Sequence, residues 1–136
     1  MTDRCPDLVL YSMVAGGAVS QTDPDSVAVT PAWRTAVSDM TVIPTVGVNA
    51  SVDIRAIQQL GYDQIQPFRE LAPPPAGGQY LNEPDILESG WQEAYWGRHY
   101  PRLLAIKKAI DPLDLLVVSK GVNSEGWDDE ITCKTA

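Results

Sequence analysis

One histidine and two cysteines among 136 residues close off several common chemistries. A serine-type triad would have to use His99, and the two thiols, Cys5 and Cys133, stand near opposite ends at a spacing that fits no metal motif. No run of about 18 apolar residues occurs, so no membrane span is expected. Basic residues are scarce: 10 Lys and Arg face 18 Asp and Glu, and a net charge of −8 argues against nucleic acid and anionic membranes as partners. P-loop, dinucleotide fingerprint and nucleophile elbow are missing as well. The N-terminal stretch has no basic region ahead of its apolar run, which predicts a cytoplasmic protein rather than an exported one. In that compartment Cys5 and Cys133 are expected as free thiols.

What is present describes a folded chain. An apolar fraction of 44% and a charged fraction of 21% suit one globular domain over residues 1–136. Residues 7–20 are rich in Val, Leu and Tyr and predict a strand, with Gly16-Gly17 marking a bulge or a close approach by another group. Residues 21–34 hold two prolines and turn-forming Asp and Ser, which predicts a loop, with Trp33 plugging the core. Residues 35–48 are β-branched and predict a second strand, which Pro44 interrupts or places at an edge.

A long helix is predicted over 51–71. Ser51 suits the N-cap, Asp53 suits the first turn, and Ile54, Ile57, Gly61, Ile65 and Phe68 recur at helical spacing as a core face. Pro67 predicts a kink or an early stop, and the prolines at 73–75 forbid continuation. Residues 79–83 read as a short extended piece and 91–97 as a short helix. A further helix is expected over 101–110 with Leu103, Ile106 and Ile110 buried, ended by Asp111-Pro112. Residues 113–119 read as a last strand. The expected class is α+β, a mostly antiparallel sheet with helices packed on one face.

Two groups invite a catalytic reading. His99 sits beside Tyr100 at a helix start, where capping or packing is the ordinary role. Glu83, Asp85 and Glu88 are near neighbours that could do acid–base work, although a solvated acidic loop has the same composition.

The aromatic spacing is more specific. Tyr80-Leu81-Asn82-Glu83, then Trp91-Gln92, Tyr95-Trp96-Gly97, Tyr100-Pro101-Arg102-Leu103, Ile106-Lys107 and Asp111-Pro112 together resemble the C-terminal, substrate-domain segment of berberine-bridge-enzyme-like FAD-linked oxidoreductases. These form part of the vanillyl-alcohol-oxidase superfamily. Gly16 to Ser20, then Asp23, Asp25-Ser26 and Pro31 to Arg34, resemble the preceding part of fungal members, and Gly121 to Trp127 their closing loop. The resemblance runs from about Leu8 to Cys133.

The resemblance implies FAD as the family's cofactor, in a longer N-terminal region whose attachment motifs are not in this sequence. It implies that Asn82 contacts the flavin if a partner supplies one, and that Tyr80 lies near the substrate face as an acid or base. Trp91 and Tyr95 would bind substrate, with His99 a further catalytic candidate. Three readings follow. The chain is a truncated or split FAD-linked module, colourless and redox-inactive alone; or a flavin-independent cyclase or isomerase of fungal secondary metabolism that reuses the pocket; or a non-catalytic binding module. A face that normally packs on the FAD domain implies a homodimer or a complex with another chain.

Overall fold

The computed structural model describes residues 8–14, 16–43 and 53–135. It is an α+β chain whose sheet is antiparallel and two-stranded: β1 (Leu8–Met13) pairs with β2 (Ser38–Ile43), with Leu8 opposite Ile43 and Met13 opposite Ser38. The first strand is shorter than expected. It ends at Met13, and the two glycines turn the chain instead of bulging it: Gly16 and Gly17 have φ of +75° and +59°, conformations that a Cβ disfavours. A short helix α1 (Gly17–Gln21) follows, then 3₁₀ turns at Pro24–Ser26 and Pro31–Arg34 capped by the side chains of Asp23 and Thr30. The expected strand beyond Ile43, with Pro44, lies outside the described residues, as do Ser51 and Cys5.

Helix α2 (Ile54–Leu71) takes its N-cap from Asp53, whose carboxylate accepts from the Arg55 N–H. Pro67 neither stops nor shortens it. The proline removes a single rung, and the last turn is held from outside by Arg69, which pairs with Asp85 at 3.0 Å and Glu88 at 2.5 Å. Its apolar face is not core: none of its residues is buried, Ile54 is well exposed, and Gly61, Ile65 and Phe68 look onto an open cavity.

The buried core lies further on. α3 (Trp91–Trp96) contributes Trp91, Ala94 and Tyr95, and a 3₁₀ turn at Gly97–His99 leads into α4 (Tyr100–Ile110). Trp91 meets Tyr100 edge-to-face at 5.5 Å, and Leu81 and Trp96 pack around them. Pro101 sits in the first turn of α4, and Asp111 closes it as expected. The stripe expected to be buried is not: Ile106 is 43% and Ile110 77% exposed.

Two expected extended segments do not form strands. At 79–83 the Gln79 N–H is taken by the Ala94 carbonyl, and Glu83 N–H closes a turn on Tyr80 O. Over 113–119 the chain turns through Asp114 at φ +52°, and the Asp111 carboxylate accepts from the N–H groups of Leu115 and Leu116 at 2.9 Å each. A side chain thus occupies donors that a strand would give to a neighbour. Leu113, Leu115, Leu116 and Val118 remain 64% to 80% exposed. Among the described residues no helix is long and apolar enough to cross a membrane. Cys133 is an exposed free thiol.

Candidate functional site

An open cavity of about 980 Å³ lies between β2, α2 and residues 76–86. Its walls are largely apolar, with Trp33, Tyr62, Ile65, Phe68 and Tyr80 among them, and its polar side is carboxylate-rich, with Asp39, Glu83 and Asp85. Each wall has a local cause. α2 turns its helical-period apolar stripe toward the sheet, β2 presents its residues across the gap, and the turn at Tyr80–Glu83 brings the acidic segment back over the opening. Trp33 is half-buried, not a core plug, and meets the Tyr80 ring edge-to-face at 5.9 Å.

Of the residues singled out from the sequence, Tyr80 and Asn82 come together. Asn82 Nδ2 donates to Tyr80 Oη at 2.7 Å, and Asn82 is exposed beside the cavity wall that Tyr80 forms. Among the described residues Asn82 Oδ1 has no hydrogen-bond donor. Trp91 and Tyr95 lie elsewhere: they are 6% and 2% exposed, belong to the core and do not line the cavity. The Tyr95 hydroxyl donates to the Asp85 carbonyl, and burial, with Glu88 and Asp85 nearby, holds its ionisation well above the usual phenol range.

His99 is also away from the cavity. Its Nδ1 faces the Val29 carbonyl at 3.1 Å and its Nε2 faces Asp25 Oδ1 at 3.0 Å, so the ring ties the 23–30 loop to the start of α4. The same Asp25 oxygen accepts from Arg98 at 2.9 Å. These bonds, His99 first and then Arg98, lower the Asp25 pKa from the ordinary carboxylate value. The residue packs and tethers, as its place at a helix start suggested.

The three acids of 83–88 are not one solvated loop. Glu88 is 8% exposed, accepts from Gln79 at 2.7 Å and from the Gly90 N–H, and pairs with Arg69. Asp85 shares that arginine. Only Glu83 is exposed, and it accepts from Thr41 Oγ1 at 2.9 Å. Asp39 was missed. Burial, then the neighbouring Glu83, raise its pKa. The available sequence signal was alternation: Asp39 and Thr41 are two apart on a strand and share a face. Among the described residues no group of three or more His, Cys, Asp or Glu could hold a metal.

The comparisons agree with the aromatic spacing. Residues 79–123 match the family model described as berberine and berberine like. The chain is thus similar to berberine-like FAD-linked oxidoreductases, through a segment that carries the Tyr80–Asn82 pair and the aromatic core together. Relatives include the FAD-linked oxidoreductase notD of Aspergillus sp. (strain MF297-2), 34% identical over 131 residues, covering 93% of this chain and 20% of that protein. The FAD-linked oxidoreductase easE of Claviceps purpurea is 35% identical over 130 residues, covering 95% of this chain and 27% of that protein. The flavin-dependent oxygenase ucdF of Aspergillus ustus is 36% identical over 129 residues, covering 94% and 22%. The chain therefore spans about a fifth to a quarter of the length of these relatives. No solved structure matches it.

Proposed function

We propose that this chain is the substrate-side module of an FAD-linked oxidoreductase: it shapes the substrate cavity, presents Tyr80 and Asn82 to a flavin held by a separate FAD-binding region, and is not redox-active alone. The observation that carries the reading is the bonded Tyr80–Asn82 pair at the wall of the large apolar cavity.

The residues fit part of the cofactor. Asn82 has an acceptor oxygen without a donor among the described residues, which suits a ring N–H, and Tyr80 keeps its own O–H to donate or to move a proton at Oη. Among the described residues the pyrophosphate has no such place: the lining cation, Arg69, is taken by Asp85 and Glu88, and the other charged groups described there are acidic. Flavin supplies the two-electron acceptor when bound. This chain's residues orient the substrate, exclude water with the Trp33, Tyr62 and Phe68 walls, and position a proton.

The test is spectroscopic. Purified chain is incubated with FAD, desalted and scanned, alone and with the FAD-binding region of a relative. Flavin retained only with that region, and lost with Asn82→Ala, is the expected result; a yellow chain by itself overturns the reading. The exposed apolar segment 113–118 supports a covering partner, either that region or a second copy. Light scattering that shows a stable monomer at high concentration, unchanged by the FAD-binding region, counts against it.

The flavin-independent reading has its own outcome in the same test. Binding of a small molecule with turnover and no flavin would select it.

A further inference from the structure

We infer that Trp33 is a positioning residue for Tyr80: its indole, standing at right angles to the phenol ring, sets the direction in which the Tyr80 hydroxyl enters the cavity. This deepens the reading above and rests on it, because it takes Tyr80 as the group that moves a proton.

Two side-chain torsions aim a phenol oxygen, and they must be fixed relative to the cavity walls for the proton to meet a bound molecule. Asn82 does not fix them. Its Nδ2 donates to Tyr80 Oη at 2.7 Å, but it belongs to the same turn, which the Glu83 N–H closes on the Tyr80 carbonyl at 2.9 Å. That bond ties two neighbouring side chains to each other, not to another wall. Thr41 Oγ1 holds the turn through Glu83 at 2.9 Å, which anchors backbone and leaves the ring torsions unset. Tyr80 is 38% exposed, so general burial does not set them either. Trp33 arrives from a distant segment, with ring centroids 5.9 Å apart and planes 85° apart. A perpendicular pair is a favoured aromatic geometry, and it constrains a ring plane as an aliphatic contact does not.

Trp33 is itself held. Pro31 opens its 3₁₀ turn, the Thr30 hydroxyl accepts from the Ala32 N–H, and the Trp33 N–H donates to the Thr30 carbonyl at 3.2 Å. Arg34 Nη1 donates to the Val19 carbonyl at 3.3 Å. Thr30 and Ala32 are buried. This turn abuts the chain just ahead of Tyr80, where a Cβ on Gly78 would meet Thr30 Cγ2 at 2.8 Å. The close approach at Gly78 fixes how near the two segments lie, and the ring contact fixes how Tyr80 is turned. Both rings line the cavity. A residue that served only as wall would need apolar bulk and no particular shape.

That difference is the test. The Tyr80 Hα–Hβ couplings report whether χ1 holds one rotamer or averages over several. They are read by NMR on the tyrosine-labelled full chain without flavin, with Tyr80→Phe identifying the resonances. One rotamer is expected in the parent, in Trp33→Phe, which keeps a flat ring, and in Asn82→Ala. Averaged couplings are expected in Trp33→Leu and Trp33→Met, which keep apolar bulk without a flat ring, with urea unfolding showing which of them is folded. Averaging already present in the parent or in Trp33→Phe, or a single rotamer that survives in a folded Leu or Met variant, overturns the assignment. Because no flavin is present, this result stands apart from the flavin-retention experiment above, which tests the reading of the module itself.

Discussion

The Tyr95 hydroxyl donates to the Asp85 carbonyl oxygen across 3.0 Å, joining the core helix α3 to the turn that roofs the cavity. Tyr95 is the most deeply buried large side chain among the described residues, so this bond anchors the roof to the core. Tyr95→Phe removes one bond and leaves the ring, at a cost of about 1 kcal/mol. Tyr95→Ala also leaves a cavity and should cost about 3–5 kcal/mol. Urea unfolding of the two variants separates these; a Phe variant as damaged as the Ala variant would show that the hydroxyl, not the ring, holds this region.

Gly78 marks a close join between the roof and α3. A Cβ built there meets the Ala94 carbonyl oxygen and Thr30 Cγ2, each at 2.8 Å. The neighbouring Gln79 N–H bonds to that same carbonyl at 2.8 Å. Gly78→Ala should therefore push the strand of contacts apart and cost about 1–3 kcal/mol. A melting temperature equal to that of the unsubstituted chain would contradict the close approach.

Asp111 predicts an acid step. The Lys107 ammonium, then the N–H groups of Leu116 and Leu115, bring its pKa from 3.8 down to about 2. A depressed folded-state pKa means that the stabilisation is present above the ordinary value and is lost as pH falls from about 4 toward 2. Amide exchange at Leu115 and Leu116 should accelerate across that window. Asp111→Asn should exchange faster at neutral pH and show no such step; a step that persists in the variant belongs to another group.

Asp39 predicts the opposite sign. Burial and Glu83 raise its folded-state pKa, so the fold favours the protonated form, and its contribution to stability declines as pH rises through that raised value. Asp39→Asn should melt higher than the parent at pH 7, and the difference should vanish below the ordinary aspartate value of 3.8. A lower melting temperature at pH 7 would mean that the carboxylate has a stabilising partner.

Helices were legible because their signals are short-range. The apolar period over Ile54 to Phe68, the proline in the first turn of α4 and the Asp111-Pro112 stop all act within a few residues, and α2 and α4 lie where those signals put them, whereas α1 falls in a stretch read as strand. Pro67 was over-read as a stop, because the ion pairs of Arg69 beside the last turn come from outside the helix. Leu113 to Ser119 was misread for the same reason: β propensity describes a segment that has a neighbour, and here Asp111 takes the backbone donors first.

By itself, the sequence determined the likeness. Its aromatic spacing over 79–123 carries the similarity to berberine-like FAD-linked oxidoreductases, and its local periodicity marks α2 and α4. Only the tertiary structure decided which residues share a site. Thr41 reaches Glu83 across 42 positions, and Arg98 reaches Asp25 across 73. Trp91 and Tyr95, which resemblance alone would send to a substrate, are core, whereas Asp39 and Trp33 stand at the cavity. Burial and charge pairing depend on contacts between distant segments, and no local pattern encodes them.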